Sequence, residues 1–173
     1  MRWIAFAIIL YLVAALQSSV APLLALHGVW PDFILITGVY FALVAKPSDA
    51  RLACWVTGLT ADLLTLSYDG YANVGIRAIT MGLLAVFIVK MREFVFRESV
   101  WSQLFFTFVA KFVIEAVAGL HMLYLVGRMD QFGELLVLAS CEAAYTAALA
   151  PYGHWLLRQL RGPLGVGAVP RWA

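Results

Sequence analysis

Ionisable side chains inside or beside apolar runs are the residues of this sequence most able to do chemistry. Asp62 lies well inside one run, and Arg77 opens the next run after an intervening turn. Lys111 and Glu115 are four residues apart, hence on one face of a helix, and Glu142 lies in the last run. Such groups are costly in apolar surroundings unless they meet a partner. Two interpretations follow: Asp62, Lys111, Glu115 and Glu142 form a buried charge network that joins helices, or they serve as a relay for protons or ions or as a pocket for a polar substrate.

Motifs for catalysis or metal binding do not accompany these residues. The sequence contains no Gly-x-Ser-x-Gly, His-Glu-x-x-His or Walker motif. Its three histidines lie near the ends of apolar runs, and its two cysteines lie inside runs without metal-type spacing. We therefore predict no enzyme activity, no metal and no cofactor, and we expect a scaffold or binding protein.

The composition is that of an integral membrane protein. Of the 173 residues, 64% are hydrophobic and 13% are charged, and the mean hydropathy is +0.90. A soluble domain of this size could not cover so much apolar surface with polar groups. The net charge of +2 comes from basic residues at the ends of apolar runs, which form no patch, so nucleic acid is not an expected partner.

Six apolar runs predict an all-α polytopic membrane protein with six transmembrane helices. A single domain over residues 1–157 contains these runs, and residues 158–173, rich in Gly, Pro and Arg, are predicted to be a poorly ordered cytoplasmic tail. Residues 46–51 are predicted to form a polar turn with a proline stop, and residues 68–73 a second turn. The runs extend over residues 3–26, 33–45, 52–66, 74–89, 100–126 and 132–157.

Basic residues predict the orientation. With the N-terminus inside, nine of them fall in inner segments, whereas the outer loops hold Arg128 and, arguably, Arg77. By the positive-inside rule, both termini are expected to be cytoplasmic. The charged segment at 90–99 is predicted to lie in the headgroup region as a helical hairpin, held at anionic lipid by Lys90, Arg92 and Arg97.

An ordered set of short motifs resembles the bacterial rod shape-determining protein MreD family, over roughly residues 10–153. Each motif is weak alone, and it is their order and spacing that carry the resemblance. The motifs are Gln17 late in the first run, Trp30-Pro31-Asp32 before the second, Gly58-x-x-x-Asp62-Leu63-Leu64 in the third, Gly75-Ile76-Arg77-Ala78 at the fourth, and Phe96-Arg97-Glu98 with Trp101-x-Gln103 at the fifth.

The resemblance implies a partner-binding role in the bacterial cytoplasmic (inner) membrane. MreD-like proteins act with the bitopic protein MreC, and together they support the peptidoglycan polymerase RodA and its class B penicillin-binding protein, with MreB filaments on the cytoplasmic side. It also implies a fold similar to the substrate-binding subunits of energy-coupling-factor vitamin transporters, which have a membrane-embedded pocket. The alternative function is therefore a small-ligand-binding transporter subunit, for which Ala143 and Ala147 offer a docking pair.

The resemblance also selects candidate positions for defining the fold or contacting a partner. Gly58 would let a neighbouring helix approach closely, and Gly75 would relieve a helix entry beside Asp62. We hypothesise that Asp62 and Arg77 form an ion pair across the turn and fix an outer concave surface that receives MreC. The candidates are Pro31, Asp32, Gly58, Asp62, Gly75 and Arg77.

Overall fold

The computed structural model describes residues 1–69, 74–94 and 99–165. The described residues form helices joined by short turns, and no β-strand occurs among them. Short 3₁₀ turns at Ala21–Leu24 and Met129–Gln131 follow α1 and α5. The helices are α1 (Trp3–Ser19), α2 (Phe33–Val44), α3 (Pro47–Asp69), α4 (Ile76–Met91), α5 (Val100–Val126), α6 (Phe132–Gln159) and the short α7 (Arg161–Leu164).

The predicted helices are all present, with differences at their ends. The helix α5 has the predicted ends, whereas α1 ends seven residues before the predicted Leu26, because the chain turns into the 3₁₀ segment that contains Pro22. The polar turn predicted at 46–51 is wrong, since Pro47 begins α3. Proline suits the first turn of a helix, and the carboxylate of Asp49 in that turn interacts favourably with the positive end of the helix dipole. The helix α3 continues to Asp69 and so includes the first two residues of the turn predicted at 68–73, and residues 70–73 lie outside the described residues.

The helix α2 is the centre of the bundle. Residues 34–43 are all buried, and α2 packs against α1, α3, α4, α5 and α6. A helix that is apolar around its whole circumference belongs in such a position. At 12 residues it is about 18 Å long, shorter than a hydrocarbon core. The surrounding helices, and not lipid, cover it.

Charged side chains of opposite sign cap the two ends of α2. At the N-terminus the Asp32 carboxylate accepts the Leu35 N–H at 2.8 Å. At the C-terminus the Arg92 guanidinium donates to the carbonyls of Ala42 and Ala45 at 2.8 and 2.7 Å. Both interactions satisfy backbone groups that the helix leaves open, and both match its dipole.

The buried position of Arg92 corrects one prediction. Its side chain was expected to help hold residues 90–99 at anionic lipid, but Arg92 is only 5% exposed and is used inside the bundle. Lys90 is exposed, and Arg97 lies outside the described residues.

Both ends of the described chain lie at the same end of the bundle. The Arg2 N–H donates to the Leu164 carbonyl at 3.0 Å, and the N-terminal ammonium of Met1 contacts Asp49 at 3.2 Å. Leu164 is fully buried. The tail boundary predicted at 158 falls inside α6, and the chain stays helical through most of the segment up to residue 164.

Large apolar side chains cover the outside of the bundle, as expected of a surface in contact with lipid. Tyr11, Leu83, Trp101 and Tyr152 are each at least two-thirds exposed. By length and composition, two segments are able to cross a membrane on their own: Val100–Val126 and Met129–Gln159. The helices α1 and α2 are apolar but shorter, so the six-span topology remains a prediction.

Candidate functional site

Five charged side chains from four parts of the fold meet at one end of α2. Lys111 lies at their centre, and its Nζ contacts carboxylate oxygens of Asp32 at 3.3 Å, Glu115 at 2.6 Å and Glu142 at 3.2 Å. Glu115 also pairs with the Arg77 guanidinium at 3.2 Å. We call these residues the ionic cluster. It joins the start of α2 to α4, α5 and α6.

Lys111, at the centre of the ionic cluster, is fully paired. The Lys111 side chain is 6% exposed, and its three ion pairs match the three N–H donors of an ammonium group. Removing one member of a buried ion pair leaves an uncompensated charge, typically at a cost of about 3–5 kcal/mol. Among the residues that the structure describes, no group of His, Cys, Asp and Glu side chains could hold a metal ion. The arrangement is suited to joining helices and to forming a polar wall.

A cavity of about 310 Å³ lies beside the ionic cluster, over the N-terminal end of α2. This volume falls in the lower part of the range found for small-molecule sites. Every member of the ionic cluster reaches its wall. The other lining residues are Gln17, Ser18, Pro22, Trp30, Pro31, Leu64 and Thr65.

Asp62 lies outside the ionic cluster and caps α4. Its carboxylate accepts the backbone N–H groups of Gly75 at 2.8 Å, Arg77 at 3.3 Å and Ala78 at 3.1 Å. The predicted ion pair between Asp62 and the Arg77 side chain is therefore wrong, because that guanidinium pairs with Glu115. The first N–H groups of a helix have no partner within the helix, and a buried carboxylate from the neighbouring helix satisfies those of α4.

Two glycines allow this interhelical cap. A Cβ atom on Gly58 would lie 2.7 Å from the Ala78 Cα and 2.7 Å from the Arg77 carbonyl oxygen, so only glycine lets α3 touch the α4 backbone here. Gly58 is one helical turn before Asp62, and both therefore face the start of α4. Gly75 has φ +100°, in the left-handed region that favours glycine.

The amide of Gln17 ties α1 to the start of α2. Its Nε2 donates to the Pro31 carbonyl at 3.0 Å, and its Oε1 accepts the Phe33 N–H at 2.8 Å. The hydroxyl of Thr146 accepts the Asp32 N–H at 3.3 Å. The segment Trp30-Pro31-Asp32 is thereby held against α1 and α6 and lines the cavity.

Sequence reasoning brought Lys111, Glu115 and Glu142 together but placed Asp62 among them and left Asp32 out. Asp32 was predicted to favour the helix dipole and to define the fold or contact a partner, but no sequence spacing indicates its contact with Lys111, 79 positions away. The docking pair predicted for the transporter alternative, Ala143 and Ala147, is also wrong, because neither residue is on the surface: Ala143 is fully buried and Ala147 is 5% exposed. The motif residues Phe96, Arg97 and Glu98 lie outside the described residues.

Comparison with known proteins identifies the family. No curated protein and no solved structure matches the chain. A family model described as rod shape-determining protein MreD matches residues 1–158, which include α1 to α5 and all but the last residue of α6. The match therefore includes the ionic cluster, the cavity and the Asp62 cap. This protein belongs to the MreD family of rod shape-determining proteins.

Proposed function

We propose that this chain is a non-enzymatic, multi-pass subunit of the elongation complex that binds an MreC-like bitopic protein. In this role it supports peptidoglycan synthesis by a RodA-type polymerase and a class B penicillin-binding protein, with MreB filaments on the cytoplasmic side. Its six helices cross the bacterial inner membrane with both termini in the cytoplasm. The match of residues 1–158 to the MreD family carries this proposal.

The family supplies the setting. MreD proteins are shape-determining proteins of the bacterial inner membrane that belong to the rod-shape complex with MreC. The ionic cluster supports a scaffolding role, because its side chains pair with one another and so fix the relative positions of α2, α4, α5 and α6.

The outer half of the α5–α6 hairpin is the surface that we assign to the partner. Beyond Glu115, α5 continues for about 17 Å, while α4 begins close to Arg77, so the hairpin extends past α4. Tyr124 is 72% exposed and Val137 is 65% exposed on this hairpin. A helix of a bitopic partner would cover such an apolar face.

Photo-crosslinking tests this assignment. A photoreactive amino acid is placed at Val137 or, as a control of similar exposure, at Leu83 on α4, which is 69% exposed. Irradiated cells should yield an adduct with the MreC-like protein from position 137 and none from position 83. An adduct from position 83 alone would place the partner on α4 and would refute the assignment.

The cavity supports a second candidate function, a ligand-binding subunit of an energy-coupling-factor-type transporter. A cavity of about 310 Å³ with charged walls could hold a small polar ligand. Co-purification of paired ATPases with a coupling membrane subunit would support this function, whereas an MreC-like protein would support the first.

A further inference from the structure

The ionic cluster leaves two hydrogen-bonding groups open at its ends. The pairs run from Arg77 through Glu115 and Lys111 to Glu142, over distances of 3.2, 2.6 and 3.2 Å. Only Nη2 of Arg77 is used, so Nε and Nη1 have no acceptor among the described residues. Only Oε2 of Glu142 meets a cation in the described part of the chain, and its other oxygen stays available. Both side chains line the cavity and retain about a fifth of their exposure, 21% and 17%.

The charge balance of the cavity selects the ligand class. Asp32, Glu115 and Glu142 contribute three negative charges, and Arg77 and Lys111 contribute two positive charges, so the wall carries one net negative charge. An anion alone would add to this imbalance, and a cation alone would leave the open N–H groups of Arg77 without an acceptor. A zwitterion fits better, because its cation can meet the open carboxylate oxygen of Glu142 while its anion meets the open N–H groups of Arg77.

The depth of the cavity indicates where such a zwitterion could come from. Ser18 lies one residue before the end of α1, Asp32 lies directly before α2, and Arg77 is the second residue of α4. Ends of membrane helices lie near the headgroup level of a bilayer. Pro22 and Leu64 add apolar wall beside these polar groups.

We propose that the cavity binds a phosphoethanolamine group, with the ammonium at Glu142 and the phosphate at Arg77. The group belongs either to the headgroup of phosphatidylethanolamine or to a free soluble compound that carries the same ammonium and phosphate groups. This binding is separate from partner binding, because it uses the cavity wall and not the exposed face of the α5–α6 hairpin.

Native mass spectrometry of the full chain tests the proposal. Detergent-purified protein is equilibrated with equal amounts of phosphatidylethanolamine and phosphatidylglycerol that carry the same acyl chains, and retained lipid is counted. We expect phosphatidylethanolamine to be retained roughly tenfold more, since the loss of one hydrogen bond to a charged group changes affinity by about this factor. The substitution Glu142→Gln should reduce this retention roughly tenfold. Glu134→Gln, the same change at an exposed position on α6, should leave it unchanged.

Free phosphoethanolamine and a second variant complete the test. Displacement of retained lipid by free phosphoethanolamine supports headgroup recognition with lipid as the source, and binding of the free compound without lipid retention supports a soluble source. If Glu142→Gln does not yield folded protein, Arg77→Lys decides, because lysine can keep the pair with Glu115 but lacks the Nε and Nη1 donors assigned to the phosphate. Equal retention of both lipids with no binding of phosphoethanolamine, or retention that neither variant reduces, would overturn the proposal. The crosslink from Val137 is unaffected by either outcome, so the two proposals fail separately.

Discussion

The interhelical cap made by Asp62 predicts a large loss of stability for Asp62→Ala. The side chain is 3% exposed and accepts three backbone N–H groups of the first turn of α4. A hydrogen bond to a charged group contributes about 1.5–3 kcal/mol, but the three bonds share one carboxylate and their contributions are not additive. We expect a decrease of about 3–5 kcal/mol in the free energy of unfolding. At about 2–4 °C per kcal/mol for a chain of this size, the melting temperature should fall by roughly 6–20 °C.

The protein contains its own probe for this measurement. Cys54 is fully buried and Cys141 is exposed, so a maleimide dye reacts with Cys54 only on unfolding when Cys141 is replaced by serine. In that background, Asp62→Ala is compared with Leu63→Ala, a change at a neighbouring residue that is 54% exposed. The control should shift the melting temperature by about 2 °C at most. A shift for Asp62→Ala no larger than that of the control would refute the capping role.

The remaining predictions concern close packing, the ionic cluster and the inner end of α2. Gly58→Ala should lower the melting temperature by roughly 5 °C or more, since its Cβ would meet the α4 backbone at 2.7 Å. The control Gly82→Ala should be nearly neutral, because the closest contact of its Cβ is a side-chain atom at 3.6 Å. Arg77→Gln and Glu115→Gln together should cost less stability than the sum of the two single losses, because they remove the same ion pair, and strictly additive losses would contradict their pairing. Arg92→Gln should lower the free energy of unfolding by about 2–4 kcal/mol, because it leaves two carbonyls at the end of α2 without their charged donor. A melting temperature equal to that of the unsubstituted protein would show that this cap is dispensable.

Local signals in the sequence predicted the helices well. The run from Val100 to Val126 is predominantly apolar, begins after the charged segment at 90–99 and ends before a glycine in the left-handed conformation, so both of its ends were predictable. Pro47 was ambiguous, because proline both ends one helix and begins the next. The turn after α2 is accordingly much shorter than the polar composition of residues 46–51 indicated.

The site was less predictable because its contacts join distant parts of the chain. The i,i+4 spacing placed Lys111 beside Glu115, but nothing local assigned Asp32 to the same lysine. Asp62 and Arg77 were correctly placed near each other, yet the contact uses the Arg77 backbone, and the guanidinium turns to α5. The sequence positions of two opposite charges do not show whether a carboxylate pairs with the charged side chain or with the backbone N–H groups at the start of a helix. Three-dimensional packing decides that competition.

Affinity purification from membranes in mild detergent, followed by mass spectrometry, identifies the proteins that this chain binds. We expect recovery of a bitopic MreC-like protein together with the polymerase and transpeptidase of the elongation complex. Asp62→Ala should reduce this recovery to the extent that it unfolds the protein, while Leu63→Ala should not. Recovery of paired ATPases with a coupling membrane subunit, and no MreC-like protein, would contradict the scaffold function and support the transporter function.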